Sequence, residues 1–217
     1  PTMYEDMLAF ASSFEETIDI VKTPWTDICD WDNPKKQHPR ESTMTHYLQT
    51  SRRPFTIAEQ TALIEMHPSI WSAIYRRDFL NERHIRFIPF PGAGWADNPF
   101  LVETLCRTDR IVYTDRPGYR YRERDLNEAE AFAARSPLVP LTRWNDMMDA
   151  AALANVSDPR ILDALAVRGV NYALITVGAV GDKNEEVNAL LANSMARLDD
   201  GLVFRSPRIS PAGKRLF

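Results

Sequence analysis

The sequence predicts an α/β fold over residues 1–125, followed over residues 126–217 by an all-helical segment with an extended basic tail. Three observations carry this. Short β-prone runs, TIDIVKTPW (17–25), RIVYTD (110–115) and GYRYRE (118–123), are separated by capped stretches of helical spacing. After residue 125 the texture changes, and 126–200 is rich in Ala, Leu and Asn. The chain is 217 residues long, 44% apolar and 26% charged, which is enough for one sizeable domain or a domain with a helical appendage.

In chain order, Thr2 can cap a helix to about residue 14, with Met3, Met7, Leu8 and Ala11 on one face. TIDIVKTPW alternates apolar and polar residues and reads as one strand that ends at Pro24. Residues 27–55 are polar and interrupted by prolines, the pattern of a long loop. TIAE (56–59) is a capping box for a helix that runs to about Met66, and Pro68 stops it. SIWSAIY (69–75) is β-prone, 77–85 is helical, and IRFIPF (85–90) is extended. A helix is expected from about 98 to 107. The two strands that follow are joined by a turn at Arg116-Pro117-Gly118. Helices are then expected over 144–154, 159–178 and 184–198, with Asp158-Pro159 as cap and first helical residue of the second. The tail, FRSPRISPAGKRLF, reads as extended and basic.

Composition excludes several classes. With 26 Lys and Arg against 30 Asp and Glu the net charge is −4, so no general basic field exists to hold nucleic acid. Arginines do cluster locally, at Arg52-Arg53, at Arg76-Arg77, and at Arg116, Arg120, Arg122 and Arg124. Cys29 and Cys106 make no zinc-ligand pattern and fit a reducing cytoplasm. Residues 1–15 carry Glu5, Asp6 and Glu15 and lack the basic region of a signal peptide. The most apolar window, VNYALITVGAVG (170–181), is too short for a transmembrane helix, so no membrane span is expected. The chain opens at Pro1 without a methionine, which looks like a cut end.

Few residues stand out as chemical. In GAGWADNPFLVETL (92–105), Asp97 has two readings. It is either a helix N-cap, favoured by the helix dipole, or a carboxylate placed to accept a proton. Pro99 prefers the first helical position, which makes Asn98 the cap and leaves Asp97 one residue outside, free to face a cleft. In HPSIWSAIYRRDFL (67–80), Trp71, Ile74, Tyr75 and Phe79 read as core, and Arg76 and Arg77 as solvated. The Arg and Tyr of YRYRERD (119–125) can bind phosphate or sugar, or form the exposed face of an edge strand. No GxSxG, P-loop or GxGxxG is present, and the four histidines show no ligand spacing.

In order, S-I-W-x-x-I-Y-R-R-x-F-L (69–80), I-R-F (85–87), A-D-N-P-F-L (96–101), R-I-V-Y (110–113) and Y-R-Y-R (119–122) resemble the second half of a family 2 glycosyltransferase catalytic domain. The resemblance spans residues 1–123 and implies the acceptor-side half of a GT-A-like sheet-and-helix domain. It implies Asp97 as the general base that deprotonates the acceptor hydroxyl. It implies acceptor contacts at Trp71 and Arg76, on the acceptor-side strand, and at Trp95, beside the base. Ala96 stands where the family often has Glu, and Ser72-Ala73 where it often has Asn-Lys.

The resemblance further implies a nucleotide-sugar donor, a glycan or lipid-linked acceptor, and a divalent metal, Mn or Mg, in the intact parent. Its setting would be polysaccharide synthesis in the bacterial cytoplasm, at the inner face of the membrane. The family's donor half and Asp-x-Asp motif are not found here. Asp30-Trp31-Asp32 has that spelling but falls in a polar loop, so no metal ligand is assigned in this chain. The isolated chain is therefore expected to be inactive. Residues 126–217 lie outside the resemblance and are open to partner docking, homo-oligomerisation or acceptor binding. The rival reading of the whole is a non-catalytic α/β and helical interaction module.

Overall fold

Pro24 shapes the first sheet. It has no N–H to give a ladder, and the run read as one strand divides around it into β1 (Ile20–Lys22) and β2 (Trp25–Cys29). A computed structural model describes residues 2–90, 94–123, 132, 134–181 and 184–217. β1 pairs antiparallel with β4 (Ala73–Tyr75) and parallel with β5 (Ile111–Tyr113). β2 pairs antiparallel with β3 (His38–Glu41) and parallel with β6 (Tyr119–Glu123), with Trp25 opposite Tyr119 and Asp27 opposite Tyr121. The protein is thus mixed α/β, and its described residues form two three-stranded sheets in the orders β4-β1-β5 and β3-β2-β6.

β2 lies partly, and β3 wholly, inside the stretch expected to be a loop. Their polar side chains find partners: Trp25 Nε1 donates to Asp27 (2.7 Å), and Arg40 pairs with the same carboxylate (3.0 Å). The Thr56–Glu59 capping box is present, but it closes a 3-10 turn (Ile57–Glu59). The helix after it, α2 (Ala62–Glu65), is a single turn. α1 (Met3–Ala11) covers the β1–β5 sheet, with Met7 packed on Ile18, Val21 and Val112. Thr2 makes no cap bond; its hydroxyl goes to Asp6. α3 spans Arg77–Glu82.

β1 is buried along its length, including Lys22. The Lys22 amine donates to the carbonyls of Pro68 (2.9 Å) and Ser69 (3.1 Å) and to the Ser69 hydroxyl (3.0 Å). Ser69 is held in the left-handed region (φ 37°). These hydrogen bonds supply the partners that a buried amine requires.

Further helices among the described residues include α4 (Asp97–Cys106), α5 (Val139–Leu153), α6 (Pro159–Val180), α7 (Glu185–Met195), α8 (Asp200–Arg205) and α9 (Pro211–Leu216). α6 packs against α2, α5, α7, α8 and α9. Its length and composition would allow it to cross a membrane, a length the short apolar window does not suggest. Most of that stretch is instead buried inside the protein, as in a core helix. Gly169 brings α5 and α6 close, with a Cβ position 2.4 Å from the Trp144 ring. Trp144 Nε1 donates to the Leu165 carbonyl (2.8 Å).

The tail is helical where an extended form was expected. Asp199 and Ser210 cap α8 and α9, and Pro211 sits in the first turn of α9. Arg208 pairs with Glu65 and Asp163.

The chain forms two compact units. The first comprises Pro1–Gln60, Met66–Arg86 and Thr104–Leu126, and holds both sheets. The second comprises Thr61–Glu65, Phe87–Glu103 and Asn127–Phe217. It therefore takes two stretches of chain from before residue 125. The expected boundary itself, at 125–126, lies outside the described residues.

Candidate functional site

A tight turn over residues 95–98 starts α4 and positions Asp97. Gly92 and Ala93 lie outside the described residues. Trp95 adopts the left-handed region (φ 55°), unusual for a bulky side chain. Its carbonyl accepts from the Asn98 N–H (3.1 Å) and from Asn98 Nδ2 (3.2 Å), which closes a tight turn. Strain of this kind persists only where surroundings enforce it. Here the indole packs on Tyr172 (centroids 4.8 Å) and Phe132 (5.7 Å).

Asp97 follows as the first residue of α4, half-buried, and not one residue outside the helix as the sequence suggested. Its Oδ1 accepts from Asn98 Nδ2 (3.2 Å). Asn98 is not the cap. Its Oδ1 accepts from Tyr172 Oη (2.7 Å) and from Arg168 Nη2. Arg168 Nε donates to Tyr172 Oη (2.9 Å), and its Nη1 donates to the Ile64 carbonyl. Asn98, Arg168 and Tyr172 are all buried. Burial pushes the Tyr172 phenol up; the Arg168 charge opposes that and the Asp97 charge adds to it. The phenol therefore stays protonated and can donate at neutral pH. All of these residues belong to the second unit, and the network fixes the side chain that holds Asp97.

The other expected site residues lie in the first unit. Trp71 is stacked on Tyr121 (4.7 Å, 5°) and lies 4.4 Å from Tyr119. The two tyrosines are two apart on β6 and so share a face. Trp25 meets Trp71 edge-on (5.3 Å), and His67 lies against both tryptophans and Tyr121. Trp71, Tyr119 and Tyr121 are half-exposed and His67 exposed, so the cluster is an aromatic platform at the surface of the unit. Arg122 lies over the Trp31 ring (4.9 Å), while Arg124 and Asp125 lie outside the described residues.

Arg76 has a partner. Its Nε donates to Asp19 (2.7 Å), a buried carboxylate that also accepts from Thr108 (2.6 Å) and Arg110 (3.0 Å). The hydrogen bond to Asp19 raises the guanidinium above its ordinary value. The structure thus groups Trp95 with Asp97 in one unit, and Trp71 and Arg76 at two places in the other.

Asp30 and Asp32 lie in the turn after β2, with Asp30 in the left-handed region (φ 49°). Among the described residues, no group of three His, Cys, Asp or Glu could hold a metal ion. The Mn or Mg ion implied by the resemblance finds no ligand set in them. Cys29 and Cys106 are free thiols, and burial pushes the Cys106 thiol up to about 12. Cys106 is therefore no nucleophile at neutral pH.

Compared with known proteins, the chain matches no family model, and no curated protein matches it significantly.

Sequence reasoning missed Arg168 and Tyr172. One signal was present: Arg168 is a lone charge in the apolar run LAVRGVNYALI. A charge in a buried helix needs polar partners, and the partners here come from Asn98 and Ile64.

Proposed function

We propose that this chain is the acceptor-side part of a GT-A-like glycosyltransferase, with Asp97 as the general base. The carrying observation is the built surroundings of Asp97. A half-buried carboxylate is held by Asn98, which a buried Arg168–Tyr172 pair locks, beside a Trp95 held in a strained backbone. The ordered resemblance of residues 69–122 supports the same reading.

In the proposed reaction, Asp97 takes the proton of an acceptor hydroxyl as that oxygen attacks the anomeric carbon. The bond from that carbon to the nucleoside diphosphate breaks, and the diphosphate leaves with the electron pair. Donor and metal would be bound by the half of the family domain whose motifs these residues do not carry. The setting proposed is the cytoplasmic face of a bacterial membrane, during polysaccharide synthesis.

Asp97→Asn in the intact transferase is expected to slow the chemical step about a hundredfold or more. Nucleotide-sugar binding should stay unchanged, because Asn keeps the shape and loses only the basicity. Near-normal single-turnover rates in that variant would remove Asp97 from the role.

A second reading, a non-catalytic interaction module, draws on a separate observation. Trp95 packs on the protein's own aromatic rings, and Arg76 is committed to Asp19. Under that reading Asp97→Asn changes stability alone.

A further inference from the structure

The Arg52-Arg53 pair takes no part in the function proposed above. It forms the tip of a segment fastened to β5 at two places. The Ser51 N–H donates to the Tyr113 carbonyl (2.8 Å), and Ser51 Oγ accepts from the Tyr113 N–H (2.9 Å). The Phe55 N–H donates to the Ile111 carbonyl (2.9 Å), and the Ile111 N–H returns to Phe55 (3.3 Å). Thr50 adds a third tie, donating to Asp115 (2.6 Å). A loop anchored on both sides of its tip is preformed and has little ordering left to lose on binding.

The segment walls a cavity of about 500 Å³ that lies wholly in the first unit. That volume suits a small molecule. Its lining includes Gln49, Arg52, Arg53, Glu59 and Gln60 alongside aromatic and aliphatic side chains, so a hydrophilic ligand finds polar partners in it.

The charges are unequal. Arg53 is bound to Glu59, and that hydrogen bond holds the Glu59 carboxyl below its usual range. Glu59 also accepts from the Thr56 N–H (2.9 Å). Arg52 is exposed and has no hydrogen bond or ion pair among the described residues. The charged lining groups therefore sum to one positive charge, carried by a guanidinium without a partner. An arginine fork matches phosphate oxygens in two-point geometry. The amides of Gln49 and Gln60 each offer both a donor and an acceptor, which suits hydroxyl groups.

We infer that this cavity binds a small soluble sugar phosphate, with Arg52 on the phosphate and Gln49 and Gln60 on the sugar hydroxyls. The inference stands independently of Asp97. Arg52 is the contact that decides affinity, because Arg53 is already neutralised.

The test is calorimetric titration of the 217-residue chain at low salt with glucose 6-phosphate, glucose and inorganic phosphate. Glucose 6-phosphate should bind most tightly, and added salt should weaken it. Arg52→Ala should weaken it about tenfold or more, the loss of one charge-assisted hydrogen bond. Glu59→Gln preserves the capping box, since Gln serves at that position. It also releases Arg53, so binding should tighten, a change that misfolding cannot produce. Failure of glucose 6-phosphate to bind, or binding indifferent to Arg52→Ala, overturns the inference. Inorganic phosphate binding as tightly as the sugar ester overturns the sugar half of it. Sedimentation with phosphatidylinositol vesicles, without binding of the soluble ester, overturns the choice of a soluble ligand.

Discussion

Asp158 caps α6 by accepting from the Arg160 N–H (2.9 Å), and the Arg160 guanidinium grips the same carboxylate (2.7 Å). Those hydrogen bonds, the guanidinium first, lower its pKa to about 2. In the unfolded chain the group returns to about 4. The native state thus binds fewer protons between these values. The stabilisation is complete above about pH 5 and fades as pH falls towards 2. Asp158→Asn keeps a capping oxygen and loses the charge. The melting-temperature gap between wild type and this variant should therefore narrow from pH 5 to pH 2. A gap that stays constant across that range would show the charge to be idle. At this scale the sequence was readable where partners are neighbours, as with Asp158 and Pro159. It misread Asn98, a natural cap by type, because Arg168 and Tyr172 claim its oxygen from 70 and 74 residues away.

Helix propensity and helix packing make opposite demands on the two glycines of α6. A Cβ at Gly178 would meet nothing within 4 Å. Gly178→Ala is expected to stabilise by about 0.5–1 kcal/mol, the usual helical gain over glycine. A Cβ at Gly169 would lie 2.4 Å from the Trp144 ring, which is buried and pinned by its bond to Leu165. Gly169→Ala should therefore destabilise, by about 1–3 kcal/mol. Urea denaturation of the two variants decides the matter, and equal shifts in both would mean α5 and α6 are not in close contact. The elements themselves were legible in proportion to their local signals. α6 announces itself by the Asp158-Pro159 pair at its start. β2 and β3 do not, because a polar residue such as Asp27 is satisfied by Arg40 from the neighbouring strand, 13 residues away in sequence. The tail misled for a related reason: its basic residues imply solvent, yet Arg208 is drawn to Glu65 and Asp163.

The two compact units are not consecutive in sequence, and composition could not have shown this. The change of texture near residue 125 marks where the long helices begin. It carries no trace of the two earlier stretches, 61–65 and 87–103, that belong with them. Their membership is set by partners such as the Ile64 carbonyl and Asn98 Oδ1, both taken by Arg168. The motif around Asp97 was legible because its residues are contiguous, whereas the support behind it was not. In the first unit the buried Lys22 amine, closed in by Pro68 and Ser69, has a practical consequence. Acylating reagents attack lysines that solvent reaches, and Lys35 and Lys36 are exposed. Brief labelling followed by peptide mass mapping should mark those two and leave Lys22 unmodified. Labelling of Lys22 requires that its strand come away from its neighbours, so its rate should follow unfolding of the unit as denaturant is added. If Lys22 reacts as fast as Lys35 in buffer, the amine is not enclosed. Otherwise one unmodified lysine serves as a chemical clock for opening of the sheet.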